Sequence, residues 1–318
     1  MKLYPLDAAP DSINSISELW NIACEQGLEI SERLVRYHLS AAANTEVGCW
    51  LAECKGQPAG FVTVCATTGP NEGLEHPSGW IGGLAVTPAA QRQGIGSRLL
   101  SWAEAWLSQR GCLTVRLGGD PKPLVPGLPL QTGSSGFFLK RGYASRWGSP
   151  RVWDVARSLD GYTIPTFVKA LPLEVGLLQA GNVGEMDAFL RREFPGRWHF
   201  EFQEHLRLGG RASDYLASWG QDGIDGFCRI TLEDGIIPIE RFYPHGLPRP
   251  WGHLGPIGLS AGRRGQGMGL ALLDAGLRYL HSRGVAGCVI DWTDLPDFYG
   301  KFGFEPHHEY LVLIKELN

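Results

Sequence analysis

The sequence lacks the features that predict binding to nucleic acid or to a membrane. Its 318 residues carry a net charge of −4, and only 19% are charged, so no excess of one sign attracts nucleic acid or an anionic surface. No apolar run reaches the roughly 20 residues of a transmembrane helix, and no basic stripe alternates with aromatic residues. The N-terminal stretch MKLYPLDAAPD has no apolar segment before its acidic residues, unlike a secretory signal. We expect neither nucleic acid nor a membrane among the partners.

The seven cysteines also lack a recognisable arrangement. Their number is odd and no C-x-x-C motif occurs, which fits neither a disulfide scaffold nor a zinc site. The adjacent pair His307 and His308 is a poor chelate, because neighbours in a strand point to opposite faces. We therefore predict reduced thiols, no metal site and a cytoplasmic location.

Apolar residues, by contrast, are plentiful enough for two cores. They make up 43% of the chain, and its 43 glycines and 21 prolines predict many turns. At about 150 residues per domain, the length favours two domains.

Two segments of the chain read alike. Residues 80–111 are WIGGLAVTPAAQRQGIGSRLLSWAEAWLSQRG, and residues 253–284 are HLGPIGLSAGRRGQGMGLALLDAGLRYLHSRG. Gln91 corresponds to Arg264 at an offset of 264 − 91 = 173 positions, and matching glycines, leucines and a final Arg-Gly keep that offset. Each segment has a short apolar run, a polar turn, a glycine-rich element and a helical pattern. A repeat of this size indicates duplicated domains.

A second pair of matched segments follows the first. Residues 136–143, GFFLKRGY, align with residues 297–304, DFYGKFGF, so that Phe138 corresponds to Tyr299 at an offset of 299 − 138 = 161. The first copy is longer by the difference, and its additional residues fall in the stretch GGDPKPLVPGLPLQTGSSG. Long loops in compact domains are often functional.

The repeat predicts one domain over residues 1–158 and another over residues 173–318. The segment 158–172 between them contains an Asp-Gly pair and two prolines, which is typical of a linker.

The glycine-rich elements QRQGIG (91–96) and RGQGMG (264–269) each lie between a predicted strand and a predicted helix. The first turn of a helix has unpaired N–H groups and the positive end of the helix dipole. Glycine lets the backbone approach a ligand closely. Both elements therefore predict an anion site suited to a phosphate or pyrophosphate.

Two common phosphate-binding motifs do not fit these elements. A P-loop needs Lys-Ser/Thr after its last glycine, and neither copy has it. A dinucleotide fold needs G-x-G-x-x-G directly after the strand, and the first copy has Leu99 at the third glycine while the second has the wrong spacing. The remaining pattern is [QR]-x-x-G-x-G.

This pattern closely resembles the acetyl-CoA pyrophosphate loop of the GCN5-related N-acetyltransferase (GNAT) superfamily. The resemblance covers the core motifs of both copies and weakens in the N-terminal part of each. It implies an α+β fold of two tandem GNAT-like domains, each a mixed, mostly antiparallel sheet with helices on both faces. In such a domain the fourth and fifth strands separate, and acetyl-CoA, the acyl donor, enters the gap.

The resemblance also assigns cofactor-binding residues, through the glycine-rich loop and the preceding strand whose backbone polarises the thioester. In the second copy these are Ile257, Gly258, Leu259, Arg264, Gly265, Gln266, Gly267, Met268 and Gly269. In the first copy they are Leu84, Ala85, Val86, Gln91, Arg92, Gln93, Gly94, Ile95 and Gly96.

The segment DFYGKFGF resembles the F-Y-x-K-x-G-F motif of the superfamily, whose tyrosine commonly protonates the departing thiolate. Tyr299 occupies that position. Thiol and phenol pKa values of about 8.5 and 10 make this proton transfer nearly balanced. The first copy has Phe138 there, and a phenyl ring has no proton to give, so we expect its active site to be degenerate.

The base that takes the proton of the acceptor ammonium is less evident. Asp291 ends the strand before the tyrosine segment and is the first candidate; Glu240 and His253 are alternatives. Each of them is equally typical of a residue without a catalytic role, either a solvated carboxylate or a packed imidazole.

The resemblance predicts an N-acetyltransferase that moves acetyl from acetyl-CoA to a primary amine of a small molecule, mainly in the second copy. Activity in the first copy, and a non-catalytic acetyl-CoA sensor or scaffold, are the alternatives. Because a fused pair can replace a homodimer, we expect a monomer.

Overall fold

The structure is a computed structural model that describes residues 2–6, 10–24, 27–70, 73–145, 151–168 and 174–317. Part of the predicted linker and the predicted start of the second domain, residues 169–173, lie outside the described residues. The chain forms two compact units, one of residues 1–153 with 308–318 and the other of residues 154–307.

Both units combine strands with helices. The strands are β1 (Lys2–Pro5), β2 (Thr45–Cys54), β3 (Gln57–Thr67), β4 (Gly79–Val86), β5 (Thr114–Leu117), β6 (Leu128–Pro129), β7 (Arg151–Ser158), β8 (Glu174–Leu177), β9 (Tyr215–Gly220), β10 (Gly223–Leu232), β11 (Trp251–Leu259), β12 (Gly287–Thr293), β13 (Glu305–Leu311) and β14 (Ile314–Glu316). The helices are α1 (Pro10–Ala23), α2 (Glu32–Leu39), α3 (Ile95–Ser108), α4 (Ser135–Leu139), α5 (Val183–Glu193), α6 (Arg197–Arg207), α7 (Met268–Ser282) and α8 (Pro296–Gly300). None of these described helices has the length and apolar character needed to cross a bilayer.

The sheet of the first unit has the strand order β1-β2-β3-β4-β5-β14. Its neighbours are antiparallel except β4 and β5, which are parallel. Helix α3 buries Leu99, Ala103 and Leu107 against one face, because a spacing of four residues places them on one stripe. On β3, Val62 belongs to that core, while the adjacent Phe61 contacts Trp20 of α1 on the opposite face.

The second unit repeats this arrangement with the strand order β7-β12-β11-β10-β9-β8, in which β11 and β12 are the parallel pair. Helix α7 packs on β10 and β11, where Gly276 lies against Cys228 and Leu254. The residue before Cys228 in β10, Phe227, points to the other face and packs with α5 and α6 in a separate aromatic core. Helices therefore cover both faces of each sheet, and the predicted α+β fold of two GNAT-like domains is confirmed.

The last strands do not follow the predicted domain bounds. Strand β7 follows the second motif of the first copy, yet its residues 154–158 belong to the second unit, beside β12. Strand β14 follows the second motif of the second copy, yet it pairs antiparallel with β5 in the first unit, with Ile314 opposite Arg116. Residues 308–318 thus differ from the prediction that assigned them to the second domain. The reason is that β5 and β12 would otherwise be exposed edge strands. Each pairs instead with a strand from the other copy of the repeat: β5 with β14, and β12 with β7.

This exchange of terminal strands predicts that the halves cannot fold separately. Fragments 1–158 and 159–318, expressed alone, should lack cooperative thermal unfolding, since each lacks a strand that its sheet requires. Expressed together, they should form a complex that unfolds cooperatively. Circular dichroism and size-exclusion chromatography measure both properties. Two fragments that each unfold cooperatively alone would contradict the exchange.

Candidate active site

A cavity of about 950 Å³ lies in the second unit where β11 leaves β12. The two strands pair over only three residues, Trp251 to His253, and then separate. The cavity wall combines the end of β11, the glycine-rich turn with the start of α7, the α5–α6 junction around Trp198, and residues 295–299. The gap between the fourth and fifth strands of the domain is therefore present.

The glycine-rich turn supplies one end of this cavity. Gly265 and Gly267 have φ angles of 76° and 82°, which glycine adopts without the strain that a side chain causes. No side chain caps the N-terminus of α7, so its first N–H groups remain available to an anion. Arg264 anchors the turn because its Nε donates to the carbonyl oxygen of Leu259 at 3.2 Å.

A matching cavity of about 610 Å³ lies in the first unit. Gly94 precedes α3 with a φ of 81°, again without a side-chain cap. Gln91 takes the place of Arg264, and its Nε2 donates to the carbonyl oxygen of Val86 at 3.0 Å. Both loops therefore have the same backbone form and the same anchor to the preceding strand.

Most of the predicted cofactor residues line these cavities. In the second unit they are Ile257, Gly258, Leu259, Arg264, Gly265, Gly267 and Gly269, and in the first Leu84, Ala85, Val86, Gln91, Arg92, Gly94 and Gly96. The four that do not line them fall at the same two positions in each copy. The side chains of Gln93 and Gln266 donate to Ala89 and Gly262, and those of Ile95 and Met268 are buried.

Tyr299 lies on the cavity wall, on the short helix α8. Its side chain is 8% exposed, and its hydroxyl has no hydrogen-bond partner among the described residues. Burial raises the pKa of Tyr299, and the negative charges nearby, including Asp291, raise it further. The phenol therefore keeps its proton at neutral pH, which is the form that a general acid needs before the reaction.

In the first unit, the corresponding Phe138 also lines the cavity and packs in the apolar core. Tyr143, the other aromatic residue of that motif, is 2% exposed and donates to Glu104 at 3.0 Å. The long loop of this copy is buried from residue 117 to 129. A Cβ added to Gly82 would collide with Asp120 of that loop and with His38. The loop thus fills the space over β4.

Asp291 lies beside the second cavity with 16% of its side chain exposed, and it does not line that cavity. Its Oδ1 accepts from His253 Nε2 at 2.8 Å, and its Oδ2 accepts from Arg241 Nη1 at 3.2 Å. Burial alone would raise the pKa of Asp291, but His253 and Arg241 outweigh that effect and hold it below its usual range. The carboxylate therefore stays ionised with both oxygens occupied.

His253 is fully buried and stacks on Phe242 with ring centroids 3.5 Å apart. Burial lowers its pKa to about 4, although Asp291 opposes the shift. Because Asp291 is ionised, Nε2 carries the hydrogen, and Nδ1 is left buried without a partner.

A second buried network crosses from α6 to the strands. Glu201 accepts from Arg197 Nε at 2.6 Å and from Arg229 Nη1 at 3.2 Å. Arg229 in turn donates from Nε to the carbonyl oxygen of Gly255 at 3.0 Å. Arg197 lines the cavity and lies 4.5 Å above the ring of Trp292. These residues were not predicted, because α6 belongs to the part where the copies differ; only the charged and aromatic run RWHFEF (197–202) could have indicated them.

Comparisons with known proteins agree with this geometry. Residues 13–122 match the acetyltransferase (GNAT) family, and no curated protein matches the chain. A GCN5-related glucosamine N-acetyltransferase region of a fungal multi-domain GH3 β-N-acetylglucosaminidase superposes with a TM-score of 0.86 at 21% identity, over 98% of this chain. The present chain spans only 38% of that fungal protein's chain.

Two further solved structures match along nearly their whole length. A tandem GNAT protein from the clavulanic acid biosynthesis pathway has a TM-score of 0.69 and 16% identity, over 100% of this chain and 98% of its own. A GCN5-related N-acetyltransferase from Sphaerobacter thermophilus has a TM-score of 0.68 and 19% identity, over 99% of this chain and 96% of its own. Residues 13–122 thus match the GNAT family itself, and both units have the fold of a tandem GNAT protein.

The buried imidazole predicts a pH-dependent stability. Between pH 6.5, the ordinary pKa of an unfolded histidine, and about 4, the unfolded chain takes up a proton that folded His253 does not. The free energy of unfolding should therefore fall as the pH falls through this window, by up to about 3 kcal/mol from this group. Urea unfolding of wild type and of His253→Gln at several pH values measures the difference.

In His253→Gln, the contribution of this residue to the pH dependence of the free energy of unfolding should disappear, because glutamine does not titrate. His281→Gln, at an exposed position of α7, is the matched control and should keep the wild-type slope. If the free energy of unfolding fell equally with pH in wild type and in His253→Gln, the lowered pKa of His253 would be contradicted.

Proposed function

We propose that the protein transfers an acetyl group from acetyl-CoA to the primary amine of a small molecule, in the cavity of the second unit. The observation that carries the proposal is the conjunction of two features in one cavity. An uncapped helix N-terminus with glycines in the left-handed conformation lies at one end, and the buried, protonated and unpartnered Tyr299 lies on its wall. The match of residues 13–122 to the GNAT family supports acyl transfer, and the fold shared with the fungal glucosamine N-acetyltransferase region supports an amine acceptor.

Backbone amides and Tyr299 have separate roles in the proposed reaction. The amides of residues 266–269 bind the pyrophosphate of acetyl-CoA, which directs the pantetheine arm along Ile257 to Leu259. There, backbone N–H groups polarise the thioester carbonyl as the amine attacks. The C–S bond then breaks, and Tyr299 protonates the departing thiolate.

Asp291 has a supporting role in this proposal. Its pKa is low and its oxygens are occupied by His253 and Arg241, which weighs against direct acceptance of the ammonium proton. Solvent takes that proton, and Asp291 holds His253 in the tautomer whose Nδ1 is free.

The first unit binds acetyl-CoA without turnover in this proposal. Its loop and anchor match those of the second unit, so the pyrophosphate site is complete. Phe138 has no proton to donate, and the buried loop takes the space that an amine would need.

Replacing Tyr299 by Phe tests the acid. The variant should lower kcat by about 100-fold or more, the usual contribution of general acid catalysis, while its KM for acetyl-CoA stays near that of wild type. Thiol release from acetyl-CoA in the presence of an amine panel measures both constants. Tyr279→Phe, on α7 and away from the cavity wall, is the control. An unchanged kcat in Tyr299→Phe would remove this residue from the mechanism.

Matched glycine substitutions test the two cofactor sites. A Cβ added at Gly94 or Gly267 meets no atom within 4 Å, and their φ angles are 81° and 82°. Gly94→Asp and Gly267→Asp should each lower the acetyl-CoA stoichiometry measured by calorimetry by one site, because the carboxylate repels pyrophosphate. Gly94→Asn and Gly267→Asn carry the same backbone strain without charge and should keep binding. A wild type that binds no acetyl-CoA would refute the proposed function.

A further inference from the structure

The central strands of the two copies can be compared residue by residue. Gly79 pairs with Val115 in the first unit as Gly252 pairs with Cys288 in the second. The offset of 264 − 91 = 173 positions that relates the glycine-rich segments therefore holds for the parallel strands as well. A difference between the two cavity walls at positions with this offset is a difference between two similar sheets.

The first cavity follows its central strand further than the second cavity does. Residues 84–86 line the first cavity, and the equivalent residues 257–259 line the second. The first wall continues through residues 81–83, whereas none of the equivalent residues 254–256, all of which the structure describes, lines the second cavity. Three residues of strand are about 10 Å long. Since the first cavity is also the smaller, about 610 against about 950 Å³, this continuation is a narrow channel between β4 and the long loop.

In the second unit, a charged side chain stands where this channel would run. Gly118 lines the first cavity, and the equivalent residue of the second unit is Asp291. The carboxylate of Asp291 accepts from His253 and Arg241, so it cannot move aside without leaving a charge unpaired. The glycine of the first unit has no side chain and leaves the channel open.

An aromatic ring closes the second cavity from another side. Cys24 directly follows α1 and Phe194 directly follows α5, and the backbone N–H of each donates to the carbonyl oxygen four residues earlier at 2.8 Å. Both residues line their cavities. The ring of Phe194 lies against Gly258, where a Cβ would be 2.6 Å from its Cζ. The first unit has Ala85 in place of Gly258 and the small Cys24 in place of Phe194, so no ring from this position covers its strand.

The channel end of the first cavity has an apolar wall. The charged side chains lie at the other end, because Arg92 belongs to the glycine-rich loop and Arg141 Nη2 donates to Ser97 Oγ at 2.7 Å in the first turn of α3. The large side chains beside residues 81–83 and 118 are instead buried and apolar: Trp20, Leu117 and Val125. Such a channel stabilises a hydrocarbon chain by removing it from water.

We propose that the first unit binds an acyl-CoA with a medium-length chain, of the hexanoyl or octanoyl class, and holds it without turnover, since Phe138 stands at the tyrosine position. The acyl chain lies in the apolar channel, and the CoA pyrophosphate lies at the N-terminus of α3. Acetyl-CoA fits the same site and leaves the channel unfilled. In the second unit, Phe194 and Asp291 close the equivalent space, so that only a short acyl group fits. This inference rests on the CoA sites of the proposed function and names the acyl class of each.

Burial of the chain sets the size of the expected effect. Each buried methylene group corresponds to a gain in affinity of about fourfold. A hexanoyl group adds several methylenes to acetyl, so we expect a preference of at least about 20-fold even if the burial is incomplete.

Calorimetric titration of acetyl-CoA and hexanoyl-CoA tests this preference in the two full-length variants that each keep one site. In Gly267→Asp, which keeps the first-unit site, hexanoyl-CoA should bind at least about 20-fold more tightly than acetyl-CoA. In Gly94→Asp, which keeps the second-unit site, hexanoyl-CoA should bind no more tightly than acetyl-CoA, because its chain meets Phe194.

A paired substitution transfers the closure of the second unit to the first. Cys24→Phe with Ala85→Gly, made in the Gly267→Asp background, gives the first unit the ring and the glycine of the equivalent positions. The preference for hexanoyl-CoA should fall below about threefold, while the Kd for acetyl-CoA stays within about threefold. Leu113→Phe, which adds a ring at a position that is 66% exposed and outside the cavity wall, is the control and should keep the full preference. Circular dichroism checks folding, and the comparison of the two glycine variants stands without the paired variant.

The outcomes separate this inference from the proposed acetyl transfer. Equal Kd values for the two ligands in Gly267→Asp would overturn the inference and leave acetyl transfer by the second unit standing. A preference for hexanoyl-CoA in both glycine variants would overturn the closure assigned to Phe194 and Asp291. The expected binding pattern, together with no acetyl transfer to any amine, would overturn the proposed function and leave the inference standing.

Discussion

The short parallel pairing between the two central strands of each sheet is the constraint on which both cavities depend. In each unit only three residues of the fourth strand face the fifth before the two separate. Beyond that point β11 has no neighbouring strand on the β12 side among the described residues, and a buried polar group without a partner is costly. The glycine-rich turn, the helix N-terminus behind it and the short helix with Tyr299 surround that gap. The fold thus creates the requirement that a ligand with its own donors and acceptors satisfies.

The two copies have used this gap differently. In the first, the long loop packs over β4, and the cavity wall carries Phe138. In the second, the corresponding loop is short, and the cavity wall carries Tyr299. Burial raises the pKa of Tyr299 and lowers that of His253, so both are uncharged at neutral pH. The ionised groups of the site, Asp291 and Glu201 with their arginines, are instead locked in pairs.

The sequence predicts some of these features well and others not at all. The glycine-rich loops were predictable because a [QR]-x-x-G-x-G pattern depends on local backbone conformation, and the position of Tyr299 followed from a short contiguous motif. The burial of the loop after β5 was not, since proline- and glycine-rich loops usually lie on the surface; Leu124, Val125 and Leu128 were its only apolar signal. The network of Arg197, Glu201 and Arg229 depends on contacts between α6 and β10, which are distant in sequence, and no local pattern indicates such contacts.

The exchange of terminal strands has a consequence for how the chain is made. Strand β5 lies at residues 114–117, and its partner β14 lies at residues 314–316, so the ribosome must translate the entire second unit before the first sheet is complete. Until then the nascent first unit exposes an unpaired strand edge, the kind of surface that recruits other chains. Completion of the first sheet is therefore coupled to the end of synthesis, and a pause in translation anywhere in the second half prolongs the period in which this strand edge is unpaired.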